Sequence, residues 1–440
     1  MTGQLLIDRV RIIDGLGNAP FEGSVLVEAN RIADVGDRSS MNLQDPEIID
    51  GAGCHLMPGL IDAHCHVTFD EPRSNDELFF HRREALSALV AARNAQRVLS
   101  AGVTGFLDAD CLFDIGVDLR DAIDAGVLVG PRMSTGGNAL LTSVGGTAGL
   151  LFPEEGRRGY ARIVRGRDEI VAEVRRQAKI GVDWIKVHVT GLIPRQRHKG
   201  EIQAWSFDEL RTVCDTAHEL GIPVTGHCRN PQSTIDCARA GFDMILHATF
   251  MNDAALEAVI EHQTPIVPTF TFQANLADYG DRVGADPGLQ DLFRREIADS
   301  AETIRRAYDA GVPVLCGTET GFSLTPYGEW HYREMEVFVR DIGFTPLEAI
   351  RAATSECGRA IGLQGEVGAV EVGRLADLLL IDGDPSSDVT LLGDKSRIRE
   401  IILDGQVVRL PELPERRPIS GWRVSPYSSG PLYWRDTRDA

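Results

Sequence analysis

Two histidines one residue apart are the first sign of chemistry in this chain. His64 and His66 flank Cys65 within the apolar run LMPGLIDAHCHV (56–67). Alternate residues of a strand face the same way. Both imidazoles can therefore hold one metal ion at the ~2.0–2.1 Å usual for zinc–nitrogen bonds, while Cys65 faces the helix layer. Two coincidental core histidines would give the same pair, so the motif gains weight only if matching groups recur. They do. Lys186 and His188 share a face of DWIKVHVTG (183–191), His227 lies near the end of PVTGHCR (223–229), His247 in DMILHAT (243–249) and Glu319 in PVLCGTET (313–320).

Lys186 sits among apolar strand residues, where an ammonium is costly and would repel a metal. Burial favours the neutral amine, which can capture CO₂ as a carbamate. That group carries a negative charge and two oxygens, so it can bridge two cations. The alternative is a lysine paired with an inward carboxylate or reaching to the strand end. Glu319 offers a carboxylate to take a proton from metal-bound water and return it to a leaving group, with hydroxide available near neutral pH. It could instead be an acceptor that orients a ligand histidine. His188 either lines the site or packs beneath it. The expected cofactors are two divalent metal ions, zinc the first choice, with iron, manganese or cobalt also compatible.

These residues are far apart in sequence, so a scaffold must gather them. Eight strand candidates run at 56–67, 102–110, 130–137, 183–191, 223–229, 243–249, 265–271 and 313–320. Between them lie segments of helical period, such as RDEIVAEVRRQAKIG (167–181), several ending in AG, IG or LG as a helix C-terminus should. The alternation predicts an α/β fold, a (β/α)₈ TIM barrel, whose functional groups project from the C-terminal strand ends. An open doubly wound sheet would need a Gly-rich phosphate loop after the first strand, and none is present. Strand-like segments at 4–12, 23–35, 376–385 and 398–410 predict a small composite β-sandwich built from both chain ends. The expected division is 1–55 and 366–412 for the sandwich, 56–365 for the barrel, and an extended C-terminal arm over 413–440.

The bulk composition is that of an ordinary soluble globular protein. The chain of 440 residues carries 45 basic and 65 acidic side chains, a net charge of −20, which disfavours a nucleic-acid partner. No apolar run is long enough for a membrane span, and the opening MTGQLLIDRVRIIDG does not read as a signal peptide. Eight scattered cysteines without a CxxC pair suit reduced thiols, so a cytoplasmic location is expected. Trp422, Tyr427, Tyr433 and Trp434 in the arm suggest burial against a barrel face, its own or a neighbour's, and hence a homo-oligomer.

PGLIDAHCHV, IKVHVTG, VTGHC, ILHAT and GTETG, in that order, resemble the amidohydrolase superfamily over about residues 1–410. GAVEVGRLADLLLIDGDP resembles the closing signature of its imidazolonepropionase-like and Xaa-Pro dipeptidase-like branch. The resemblance implies that His64 and His66 bind one metal, that His227 and His247 bind a second, and that a carboxylated Lys186 bridges them. Two departures stand out. The family normally has Asp where Glu319 stands, and one more CH₂ moves the carboxylate outward by roughly 1.5 Å. The loop TSVGGTAG (142–149) lacks the histidine that dipeptidase-like members tend to carry.

The expected activity is hydrolysis of an amide, urea or carbamate-type C–N bond in a small molecule or dipeptide by metal-bound hydroxide. A cyclic-amidine deaminase would lack Lys186 and carry an extra Glu after His227, where HCRNPQS stands. A non-catalytic scaffold of the same fold would not need four histidines and Lys186. The substrate pocket should form from loops near 68–76, 138–160, 191–205, 272–285 and 321–333. Arg195 and Arg229 are candidates to grip a substrate carboxylate, with Arg197 read as a solvated loop charge. Tyr327, Trp330 and His331 are candidates for a pocket wall, alongside His188.

Overall fold

The computed structural model describes residues 3–73, 83–146, 159–191 and 201–413. Both ends of the chain meet in one eight-stranded sheet. Strands β1 (Gln4–Ile12), β2 (Phe21–Glu28), β3 (Arg31–Gly36), β4 (Glu47–Asp50) and β5 (His55–Pro58) come from the start. β5 then pairs antiparallel with Leu378–Ile381, which continues to Ile398–Leu403 and Gln406–Val407. Ile7, Ile12, Val25, Leu56, Leu378 and Ile402 enclose one apolar core between the two ends. Burying each such side chain is worth about 1.5–3 kcal/mol.

The run 56–67 is two strands rather than one. Gly59 separates β5 from β6 (Leu60–Cys65), and a Cβ there would meet Thr104 at 2.1 Å. Only glycine lets the chain pass from the end sheet into the barrel so close to the next strand.

From β6 the pairing is parallel. β7 (Val103–Asp108) and β8 (Arg132–Thr135) follow it. A second parallel ladder holds β9 (Ala139–Leu141), β10 (Ala161–Ile163) and β11 (Ile185–His188). After a two-stranded excursion, β12 (Thr190–Gly191) and β13 (Ile202–Gln203), it continues through β14 (Val224–Cys228), β15 (Met244–His247) and β16 (Ile266–Val267). Residues 313–320 carry only isolated bridges, yet they bond on both sides. Leu315 N–H donates to Ile266, while Ala63 and His66 donate to Cys316 and Thr320.

Helices α1 (Glu84–Ser100), α2 (Ile115–Asp124), α3 (Arg167–Ile180), α4 (Phe207–Glu219), α5 (Pro231–Ala240), α6 (Asp253–His262), α7 (Thr271–Tyr279) and α8 (Pro287–Asp309) fall between the strands. Local chemistry fixes their ends. Ser206 and Glu209 form a reciprocal cap on α4, and Asn230 accepts from Ser233 N–H ahead of Pro231 at the first turn of α5. Gly181 and Gly241 end α3 and α5 in the left-handed conformation. The fold is thus a (β/α)₈ TIM barrel beside a sheet domain made by both chain ends. All eight cysteines are free and buried. The C-terminal arm lies outside the described residues. Among the described residues no helix is long and apolar enough to cross a membrane.

Candidate functional site

Strand period brings the histidines together. His64 and His66 extend from the end of β6 with ring centroids 4.9 Å apart, and Cys65 between them lies in the apolar layer. His227 in β14 and His247 at the end of β15 are 4.5 Å apart, and His64 lies 5.2 Å from His247. His188 stacks on His227 at 5.0 Å. Glu319 reaches into this group from the eighth strand position. Its carboxylate oxygens stand 3.5 Å from His66 Nε2, 3.7 Å from His64 Nδ1 and 3.8 Å from His247 Nε2. Potential ligand atoms of His64, His66 and Glu319 all lie within 4.8 Å of one another.

Glu319 and His247 hold φ values of 57° and 69°. The left-handed region costs an ordinary residue roughly 1–2 kcal/mol, a strain that concentrates at sites where geometry matters more than stability. Thr269, also left-handed at φ 59°, stands 3.0 Å from His64 Nδ1 through its hydroxyl.

The hydrogen-bond balance here differs from that of a finished core. His64 Nε2, His66 Nε2 and both ring nitrogens of His247 are buried without a hydrogen-bond partner. Buried polar atoms are normally satisfied, so a cluster of orphans such as this calls for an absent group. Lys186 is 1% exposed, and its amine forms no ion pair or hydrogen bond among the described residues. Burial lowers its pKa, against the pull of Asp110 and Glu319.

Carboxylates supply the counter-charge. Asp110, just past β7, stands 3.1 Å from His66 Nδ1 and 3.4 Å from His188 Nε2. Burial opposes a charge on His66, but Asp110 and Glu319 outweigh it and push the pKa up to about 10. Burial likewise opposes the Glu319 carboxylate, yet His64 and His66 hold it below the usual range. Glu201 meets His227 Nε2 at 2.8 Å and accepts from the Thr190 hydroxyl at 2.8 Å. Its pKa falls to about 2: burial opposes the charge, and His227, Arg229 and Thr190 prevail. The β12–β13 pair carries Glu201 back to the mouth of β11. Above these groups opens a cavity of about 800 Å³.

The amidohydrolase family model matches residues 55–408. The chain belongs to the amidohydrolase family. An uncharacterised Mycobacterium tuberculosis protein is 30% identical over 334 residues, covering 76% of this chain and 80% of that one. Aspergillus niger ochratoxinase is 26% identical over 375 residues, covering 81% and 76%. A solved Xaa-Pro dipeptidase with methionine in its active site superposes with a TM-score of 0.80 at 26% identity, over 92% of this chain and all of that one. As an amidohydrolase, the chain is a hydrolase acting on carbon–nitrogen bonds.

The amidohydrolase floor gathers His64, His66, Lys186, His188, His227, His247 and Glu319 at one cavity. Three expectations change. Tyr327 is fully buried, donates its hydroxyl to His66 O at 2.6 Å and accepts from Asp70 N–H. His331 bonds Asp62 at 2.9 Å through Nδ1 and accepts from Gly328 N–H. Neither lines the cavity: from Tyr327 onward the chain turns back behind β6, where Asp62 also accepts from His64 N–H and Thr318 N–H. Both support the strand that carries His64 and His66 rather than forming a pocket wall. Arg229 does line the cavity, but its guanidinium is taken by Glu296 at 2.6 and 2.8 Å. Arg195 and Arg197 lie outside the described residues.

Asp110 and Glu201 are the functional candidates that sequence reasoning passed over. Asp108 and Asp110 repeat, at the next strand, the one-residue spacing of His64 and His66, and that signal was there to be used. Glu201 arrives through a loop, and no period announces it.

Proposed function

We propose that this chain hydrolyses an amide, urea or carbamate bond of a small molecule, with one or two divalent metal ions held by His64, His66, Lys186, His227, His247 and Glu319. The observation that carries this reading is the cluster of His64, His66 and Glu319, with orphaned, buried ring nitrogens beside it, beneath a cavity. Imidazole and carboxylate donors suit zinc and its neighbours in the first transition row. An ion bound there would polarise the carbonyl and make hydroxide available near neutral pH.

The chain's own residues do the rest. Glu319 takes the proton of the attacking water as its oxygen bonds to the carbonyl carbon. It then delivers that proton to the nitrogen as the C–N bond breaks. Lys186, buried and with no ion pair among the described residues, is suited to the neutral amine that forms a carbamate. Asp110 orients His66 through Nδ1, leaving Nε2 for a ligand role, and Glu201 holds His227 through Nε2. The Xaa-Pro dipeptidase, by its name, cleaves a bond of the same broad class.

Elemental analysis of protein purified without chelator, beside a panel of amides, ureas and carbamates, tests the proposal. Bound divalent metal and turnover that is lost on chelation and restored by metal are expected. Full activity in metal-free protein would overturn it.

A further inference from the structure

The wall of the cavity differs in character from its floor. Phe69 stacks on His66 with ring centroids 4.3 Å apart and planes within 3° of parallel. Phe322 follows at 5.5 Å from Phe69, Phe272 at 5.6 Å from Phe322, and Phe293 at 6.5 Å from Phe272. Four half-buried rings thus climb from a floor histidine to the mouth, with Leu276 and Leu289 beside them. Edge-to-face and stacked arrays at these distances accept a further flat ring readily.

Beyond the floor, the cations among the described lining residues are Arg73 and Arg229. Neither is free. Arg73 is already engaged. Arg229 gives Nη2 to both oxygens of Glu296 and approaches Glu201 at 3.6 Å. With the Gln273 amide turned so that its oxygen faces the guanidinium, Nη1 donates to it at 2.8 Å. Two carboxylates against one guanidinium leave nothing for an incoming anion, and Glu296 and Glu201 would repel it.

We propose that the cavity selects an uncharged amide, urea or carbamate bearing an aromatic ring, with the ring seated on Phe69, Phe322 and Phe272, and that Glu296 excludes carboxylate-bearing substrates by occupying Arg229. Glu296 acts through Arg229, so it is a positioning residue rather than a catalytic one. The proposal rests on the hydrolytic reading of the floor but can be tested apart from it.

The test measures binding to the metal-loaded protein by calorimetry. The probes are deoxybenzoin, an uncleavable ketone counterpart of benzanilide, and the same ketone with a para carboxylate. Benzanilide and 4-benzamidobenzoate serve in parallel for turnover. The wild type should bind the neutral ketone at least about tenfold more tightly than the anionic one. Phe272→Ala should weaken the neutral ketone by about tenfold. Glu296→Gln should narrow the preference by about tenfold or more, because Arg229 is then released. Equal or tighter binding of the anionic ketone to the wild type would overturn the proposal. So would neutral binding indifferent to Phe272→Ala. If Glu296→Gln does not fold, the wild-type pair and Phe272→Ala still decide. Ketone preference without turnover of any amide counts against the hydrolytic reading alone. Turnover of amides with no preference for an uncharged ring counts against this inference alone.

Discussion

Two charge clusters sit at opposite ends of the barrel strands, and they are built on opposite principles. At the N-terminal end of β8, Arg132 bonds Asp377 at 2.7 and 3.1 Å and Asp404 at 2.7 Å. Asp404 N–H donates to Asp377, and the Asn30 amide donates to Asp404. Donors and acceptors are matched, and the cluster ties the barrel to the sheet formed by the chain ends. At the C-terminal end, Asp110 and Glu319 face histidines with orphaned nitrogens, Glu201 holds His227, and the Lys186 amine has no ion pair or hydrogen bond among the described residues. Matched charge closes a seam, whereas unmatched charge is tolerated only where a missing ion or substrate completes it. The two faces of such a barrel divide between stability and chemistry in the same sense.

The sharpest way to break this comparison is Glu319→Gln. The amide keeps the shape but cannot take a proton, so kcat should fall by about 10²–10⁴-fold with KM little changed. Steady-state kinetics decide. A loss confined to KM would make Glu319 a substrate-binding group.

Lys186→Ala removes the buried lysine. Activity should fall by at least about 100-fold together with bound metal, since changes merely adjacent to ligands already cost that much. Short carboxylic acids should restore part of both if a carbamate is the missing piece. Metal retained in full by the alanine variant would exclude Lys186 from the ligand set.

The period-2 logic that exposed His64 and His66 worked because it depends only on local geometry. The same logic found Lys186, His227, His247 and Glu319 as a recurrent set at strand ends. It failed where partners come from elsewhere in the chain. Nothing near Arg229 announces that Glu296, 67 residues on, will hold it. Tyr327 and His331 follow strand 8 closely in sequence, but the chain reverses behind β6 and withdraws them from the pocket. The barrel and its end sheet were legible from alternation and terminal strand texture. The break at Gly59 was not, because it depends on how closely Thr104 approaches.

A smaller change sharpens the reading of Glu201. Its carboxylate holds His227 through Nε2 and so fixes the orientation of that ring. Glu201→Gln keeps a hydrogen bond but loses the charge. Metal affinity should fall by about 10–100-fold, read by competition with a chelating dye, while the fold is retained by circular dichroism. Unchanged affinity would reduce Glu201 to a packing role.

The smallest effect belongs to the matched cluster. Burial opposes the charge of Asp404, but hydrogen bonds from Arg132 and Asn30 and the nearby guanidinium outweigh it, so its pKa lies below the ordinary 3.8. A carboxylate with a depressed folded-state pKa adds stability that is complete above the unfolded value and lost as pH falls through the folded one. The window is therefore acidic, at and below about pH 4. Asp404 keeps 55% of its side chain in solvent, so the contribution is screened and should amount to about 0.2–1 kcal/mol. Melting temperature followed from pH 6 to 3, in wild type and in Asp404→Asn, isolates it. The wild type should lose its advantage over the variant as the acid limb is descended, because protonated Asp404 no longer attracts Arg132. Asp377, 3% exposed and bonded to the same guanidinium, keeps the seam closed in both proteins. Parallel curves across the whole range would mean that Asp377 alone holds Arg132 and that Asp404 lies on the surface without energetic consequence.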